Sequence, residues 1–229
     1  MKIAGIIKNS FVDYPGQIAA VVFTQGCNYD CFFCHNRALI PFDGEPMDED
    51  EIFAFLDKRS GLLDGVVITG GEPTLQKDLA EFMSKIREFG FKIKLDTNGS
   101  RPEVLIDLLD KNLIDYAAMD YKAPFERYDE ICCTKCDTDA VRRSFSVMKQ
   151  SGVPYELRTT FVPQLNSDDI VKMLGEVGPI DTFALQHYKM PEEYDKDHSF
   201  FVKQKPHGES EYEFAKEKAK KHAKRIIIR

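Results

Sequence analysis

No stretch of the sequence comes near the roughly 20 consecutive apolar residues that a bilayer-crossing helix requires, so no membrane span is expected. Positive charge is not in excess. The 31 Lys and Arg stand against 38 Asp and Glu, a formal net charge of −7, which argues against a nucleic-acid binder. The opening MKIAGIIKNSFVDYPG has one early Lys and only a short apolar patch, too little for a secretory signal. Internal repeats, low-complexity tracts and linkers are missing, and 43% hydrophobic with 30% charged residues is ordinary for a folded chain, so disorder is not expected as the main state. The 229 residues suit a single domain, expected to span 1–229 and to reside in the cytoplasm.

Cysteine is also missing from most of the chain. All six fall in two triplets, Cys27, Cys31 and Cys34, and Cys132, Cys133 and Cys136. A disulfide framework would spread its cysteines to staple distant segments. Clustered thiols in a reducing compartment read instead as metal ligands or redox groups.

The rest is an alternation of two periodicities. Gln17–Thr24, a β-branched apolar run, reads as a buried strand, as do Gly65–Thr69, Phe91–Thr97, Tyr116–Lys122, Tyr155–Val162 and Thr182–Tyr188. Helices are expected between them: Asp48–Ser60 with its acidic start, Leu79–Phe89 stopped by Gly90, one opened by Pro102, Thr138–Gln150, and one capped by Ser167 and running to about Glu176. A Lys-rich helix Glu209–Lys224 and an edge strand Ile226–Ile228 would follow a core of about 17–190. Six βα units predict an α/β fold with a parallel sheet and right-handed connections. That is fewer than the eight units of a closed barrel, so a partial (β/α)6 barrel is expected, with its chemistry at the C-terminal ends of the strands.

Polar motifs fall at those ends. Cys27-Asn-Tyr-Asp-Cys31-Phe-Phe-Cys34 follows the first strand, and its three thiolates can converge on one metal centre. Zinc would need a fourth ligand, with His35 adjacent, whereas an iron–sulfur cluster on three Cys leaves one iron free for another ligand. Three inert buried thiols are the bland alternative. Gly70-Gly71-Glu72-Pro73 is either a plain turn or a segment that lets a ligand approach the backbone, with Glu72 accepting from an ammonium group. Asp96-Thr97-Asn98-Gly99 ends the third strand, and Asn-Gly alone makes a bland turn. Asp120 and Lys122 share one side of the fourth and are either an ion pair at the rim or ligand contacts. Arg158 could grip a carboxylate or simply sit exposed. Gln186, His187 and Tyr188 end the sixth.

CxxxCxxC after the first strand of a repeated βα chain resembles the radical S-adenosylmethionine superfamily. The resemblance implies that Cys27, Cys31 and Cys34 hold a four-iron four-sulfur cluster. Its open iron would bind the methionine end of S-adenosylmethionine, and its electron would yield a 5′-deoxyadenosyl radical. It places Phe33 near the adenine and the GGEP segment (Gly70, Gly71, Glu72) at the methionine amino group. It also places Asp96, Asp120 and Lys122 at the cofactor or an adjacent cation site, Arg158 at the methionine carboxylate, and one of Gln186, His187 and Tyr188 at the ribose or adenine. Together, SFVDYPG (Ser10–Gly16), QGCNYDCFFCHN, GGEP, DTNG and MDYK resemble the activating proteins of anaerobic ribonucleoside-triphosphate reductase. Those proteins install a glycyl radical on the reductase. This implies that reductase as partner and an electron donor such as flavodoxin or ferredoxin. Another glycyl-radical enzyme, or a small molecule, is the first alternative target. A non-catalytic zinc module on Cys27, Cys31, Cys34 and His35 is the second alternative, and it leaves GGEP and MDYK without a role.

The second triplet matches no part of that pattern. A second metal, a redox pair and plain local variation all stay open. The seven Lys and Arg of 216–229 form either a solvated face or a docking patch for an acidic partner.

Overall fold

The computed structural model describes residues 1–229. Eight strands form one sheet in simple chain order: β1 (Ile3–Ser10), β2 (Ala19–Thr24), β3 (Gly65–Gly70), β4 (Lys92–Thr97), β5 (Tyr116–Asp120), β6 (Tyr155–Phe161), β7 (Ile180–His187) and β8 (Ala223–Ile228). β1 is antiparallel to β2, and every later pair is parallel. The sheet and its crossover helices make an α/β fold of the partial-barrel type.

The helices begin where side chains can satisfy free backbone N–H groups. Asp48 caps α1 (Glu49–Asp57) by accepting from the Asp50 N–H. α2 (Leu79–Glu88) buries Leu79, Phe82, Met83 and Ile86, and α3 (Pro102–Asp110) opens on its proline. A short α4 (Tyr128–Cys132) precedes α5 (Thr138–Gln150), which is capped by Asp137. Asn166, one residue ahead of the expected Ser167, forms a capping box with Asp169 at the start of α6 (Ser167–Val177).

Strand parity sorts the chemistry. Ala20 and Val22 of β2, Val66 and Ile68 of β3, Ile93 and Leu95 of β4, Ala117 and Met119 of β5, and Leu157 of β6 face the helices and join the main core of 51 buried residues. The alternate residues face inward. At one end these are apolar, with Tyr14, Ala19, Val21 and Val67 in a small second cluster. Toward the strand C-termini they become Lys94, Asp96, Asp120, Glu156, Arg158, Thr160 and Gln186.

Three expectations need correction. The sequence shows β1 only as a short apolar patch. It is an edge strand with register shifts after Ile3 and Ile7, so its alternation is too broken to read as period two. The Lys-rich helix, α8 (Glu209–Ala219), stops before Lys220. β8 starts at Ala223 rather than Ile226, so the parallel part of the sheet has seven strands. The Lys run from 216 onward continues past the helix and hides the boundary. The segment after β7 also holds a short α7 (Ser199–Val202). No helix is long and apolar enough to cross a membrane.

Candidate functional site

A cavity of about 330 Å³ opens at the C-terminal ends of the strands. Cys27, Cys31, Cys34, Phe33, Gly70, Gly71, Glu72, Asp96, Asp120, Lys122 and Arg158 all line it. Parallel strands carry every β–α loop to one face, so motifs far apart in the chain meet there. Asp13, Asn36, Asn98 and Thr160 also line the cavity and were not singled out as site residues. The two Asn and Thr160 lie in or beside motifs that were read, whereas Asp13 sits in the SFVDYPG turn after the unrecognised β1. Of the sixth-strand trio only Gln186 lines the cavity. The His187 ring packs on Tyr212 with centroids 4.2 Å apart, and the Tyr188 hydroxyl donates to the Val202 carbonyl.

The glycines of the GGEP turn serve the protein's own backbone. Gly70 has φ +119°, and a Cβ there would lie 2.3 Å from the Thr24 nitrogen. A Cβ on Gly71 would lie 2.1 Å from the Gly26 carbonyl oxygen. The Glu72 N–H donates to that same carbonyl at 2.7 Å, so the turn is pinned to the base of the cysteine loop. Glu72 is fully buried. Its Oε1 accepts from the Thr74 N–H and hydroxyl and from the Thr97 hydroxyl, while Oε2 accepts from the Asn98 N–H. The carboxylate thus ties β3's loop to β4's, and only Oε2 has a lone pair left for an outside donor. Burial pushes the Glu72 carboxyl up, against those four donors.

A ladder of alternating charge crosses the inner face. Lys94 pairs with Asp96, Arg158 Nη1 lies 2.9 Å from Asp96 and Nε 2.8 Å from Asp120, and Lys122 Nζ lies 3.1 Å from Asp120. Burial opposes ionisation of both carboxyls, but the cations beside them outweigh it. Arg158 with Lys122 holds Asp120 at about 2, and Arg158 with Lys94 lowers Asp96 as well. Burial alone would favour neutral Lys122, yet Asp120 and Cys31 keep it a cation. Three cations against two carboxylates leave the ladder net positive. Arg158 has both Nε and Nη1 engaged, so its fork is occupied by aspartates rather than presented to a ligand carboxylate.

The three thiols of the first triplet share the cavity wall. Burial pushes Cys27 up to about 12 and raises Cys34, while contact with the Cys132 thiol lowers Cys31 despite its burial. His35 is exposed. No three His, Cys, Asp or Glu side chains already stand at ion-binding separation. The donor set, three soft thiols from one irregular loop, nonetheless suits iron and sulfide and lacks the fourth ligand of a structural zinc site.

Residues 21–177 match the Radical SAM superfamily. The chain belongs to that superfamily. A Methanocaldococcus jannaschii protein provisionally named a glycyl-radical enzyme activating enzyme is 36% identical over 99% of this chain and 95% of its own length. Streptococcus suis SuiB, solved bound to S-adenosylmethionine, superposes with a TM-score of 0.67 at 14% identity over 90% of this chain and 48% of SuiB. Escherichia coli coproporphyrinogen III oxidase (HemN), a radical SAM enzyme, superposes with a TM-score of 0.60 at 14% identity over 91% of this chain and 53% of HemN. The chain spans about half the length of these two structures, which share its fold. Membership in the radical SAM superfamily leaves the zinc module without support.

The basic tail of this radical SAM protein is largely neutralised. Lys216, Lys218, Lys220, Lys224 and Arg229 pair with Glu213, Asp168, Glu217, Asp181 and Glu156. A solvated, ion-paired face accounts for it without a partner.

Proposed function

We propose that this radical SAM enzyme is a glycyl-radical enzyme activase whose target is anaerobic ribonucleoside-triphosphate reductase. The observation that carries the reading is 36% identity, nearly end to end, to the Methanocaldococcus jannaschii protein provisionally named a glycyl-radical enzyme activating enzyme. Residues 1–229 then act as one radical SAM domain, in line with the continuous sheet. Six free thiols suit the reducing cytoplasm.

The cofactors are a [4Fe-4S] cluster and S-adenosylmethionine. When bound, they supply one electron to the sulfonium, giving methionine and a 5′-deoxyadenosyl radical that takes a hydrogen atom from a glycine Cα of the target. Cys27, Cys31 and Cys34 hold the cluster as thiolates. The net positive ladder would face the methionine carboxylate, with Lys122 lining the cavity and Arg158 fixing Asp96 and Asp120. Glu72 Oε2 and the Gly70–Gly71 backbone meet the ammonium group, and Phe33, 8% exposed on the cavity wall, meets the adenine. Flavodoxin or ferredoxin would supply the electron.

Reconstituted protein, reductant and S-adenosylmethionine mixed with the reductase should give a glycyl radical signal by electron paramagnetic resonance. Cofactor cleavage without that signal would reject the target, and turnover of a small molecule with no protein partner would reject the activase reading.

A further inference from the structure

β5 ends at Asp120, yet Lys122, which lines the cavity, lies two positions beyond it. The hold of the sheet reaches only to Tyr121. Its N–H donates to the Arg158 carbonyl at 2.8 Å, and its carbonyl accepts from the Thr159 hydroxyl at 2.6 Å. The Lys122 N–H has no strand to pair with and donates instead to the Tyr128 hydroxyl at 3.1 Å. Tyr128 is the first residue of α4 and is 0% exposed. The turn Phe125–Arg127 brings the chain back to it. The rings of Tyr121, Phe125 and Tyr128 pack with centroids 5.1 to 6.1 Å apart. Glu176 of α6 accepts from the Tyr121 hydroxyl and, at 3.2 Å, from the Phe125 N–H. The far end of α4 is fixed as well. The carbonyl of Cys132, its last residue, accepts from the Asp30 N–H at 3.2 Å. Five residues of helix thus join the Lys122 backbone to the residue before Cys31.

We propose that Tyr128 is a positioning residue: its hydroxyl fixes the Lys122 backbone, and α4 carries that fix to the cysteine loop, so that the Lys122 ammonium and the cluster ligands keep one spacing. The inference rests on the reading of Lys122 as a cofactor contact made above. Tyr128 does not line the cavity, so it acts through Lys122. The Lys122 side chain is a flexible stem held at its tip, with Nζ 3.1 Å from Asp120 and 5.8 Å from the Phe33 ring centroid. Held only there, the tip follows any shift of its own backbone. Held at both ends, it is placed before a ligand arrives, and less ordering remains to be done on binding. A buried phenol suits the task. Its rigid ring sets the position of one oxygen, and that oxygen satisfies a backbone donor that would be costly to leave unpaired.

The test is a double-mutant cycle. It is read by equilibrium dialysis of S-adenosylmethionine against anaerobically reconstituted, oxidised protein, with iron counted in each sample and with no turnover or target protein. Tyr128→Phe keeps the ring and removes the acceptor. It should raise the dissociation constant about threefold to tenfold at unchanged iron content. Lys122→Met should raise it at least about tenfold. In the double variant the Tyr128→Phe factor should vanish, leaving the Lys122→Met value to within about twofold. A Tyr128→Phe variant that binds as wild type would overturn the proposal. So would a Tyr128→Phe factor that persists beside Lys122→Met, which is what a general loosening of the wall would give. Wild-type binding by Lys122→Met would also overturn it, by rejecting Lys122 as a contact. If Tyr128→Phe fails to load iron, amide hydrogen exchange in the iron-free proteins decides. The Lys122 N–H should then exchange at least about tenfold faster in Tyr128→Phe than in wild type while the Tyr121 N–H keeps its rate, and equal Lys122 rates would overturn the proposal. A wild-type chain that loads iron yet binds no S-adenosylmethionine would instead reject the cofactor reading on which the proposal rests.

Discussion

The two cysteine triplets hold three thiols each, spaced four and three apart in the first and one and three apart in the second, and they differ in what surrounds them. Cys27, Cys31 and Cys34 sit in an irregular loop after β2, on the wall of a polar cavity. Cys132, Cys133 and Cys136 sit at the end of a helix and in the turn beyond it, and none lines that cavity. Thiol count alone is therefore a poor guide to role. The strand end that delivers the thiols, and the charge that faces them, decide it.

The sharpest way to break the comparison is to remove thiols one at a time. Ala at 27, 31 or 34 should lower the iron retained after reconstitution at least about tenfold, from the roughly four irons of one cluster, and abolish S-adenosylmethionine cleavage. Ala at 133 or 136 should leave the iron count unchanged. A comparable loss at 136 would make the two triplets equivalent and reject the contrast.

Next in size is the ladder that gives the first triplet its setting. Asp96→Asn keeps the shape but leaves Lys94, whose side chain is 2% exposed, without its counter-charge. The expected cost is roughly 3 kcal/mol in denaturant unfolding, the lower range for breaking a buried pair. A loss below about 1 kcal/mol would show that the ladder behaves as a surface ion pair. Gly71→Ala should cost about 1–3 kcal/mol as an overpacked contact. Because its Cβ would meet the Gly26 carbonyl at 2.1 Å, it should also slow cluster loading, measured as the rate of iron uptake.

The pH response should carry the same signature. Asp120 is held at about 2, below its ordinary value near 3.9, so its contribution to stability is complete above about pH 4 and is lost as pH falls toward about 2. Urea midpoints measured between those limits should fall less steeply in Asp120→Asn than in wild type. The smallest effect belongs to the second triplet. Cys133 occupies the left-handed region at φ 50°, ψ 28°, so Cys133→Gly should match or raise stability by up to about 1 kcal/mol, with iron content unchanged.

The positions of all eleven candidate residues were legible because each motif follows a strand, and parallel strands end on one face. Their partners were not. Arg158 reads in sequence as a free guanidinium, yet strand register puts it opposite Asp120 and within reach of Asp96. Glu72 reads as a ligand acceptor, yet two of its four bonds come from Thr97 and Asn98, brought near by folding, and the other two from Thr74 in the tight turn after it. Gly71 reads as space for a ligand, and the space is filled by Gly26. The backbone bond from the Asp30 N–H to the Cys132 carbonyl joins residues far apart in the chain and leaves no local pattern. β1 was missed because an edge strand, unlike β2, need not bury either face continuously.

The alternation along β4 has one more consequence, for how such a chain can change over generations. Lys94 and Asp96 lie on the inner face of the sheet while Ile93 and Leu95 face the helices. Inserting or deleting a single residue inside the strand exchanges the two sets, sending charge into the packed layer and leucine onto the inner face. Length variation should therefore accumulate in the helices and the loops at the opposite end of the sheet, while the strands keep an even-numbered frame that no point substitution can restore.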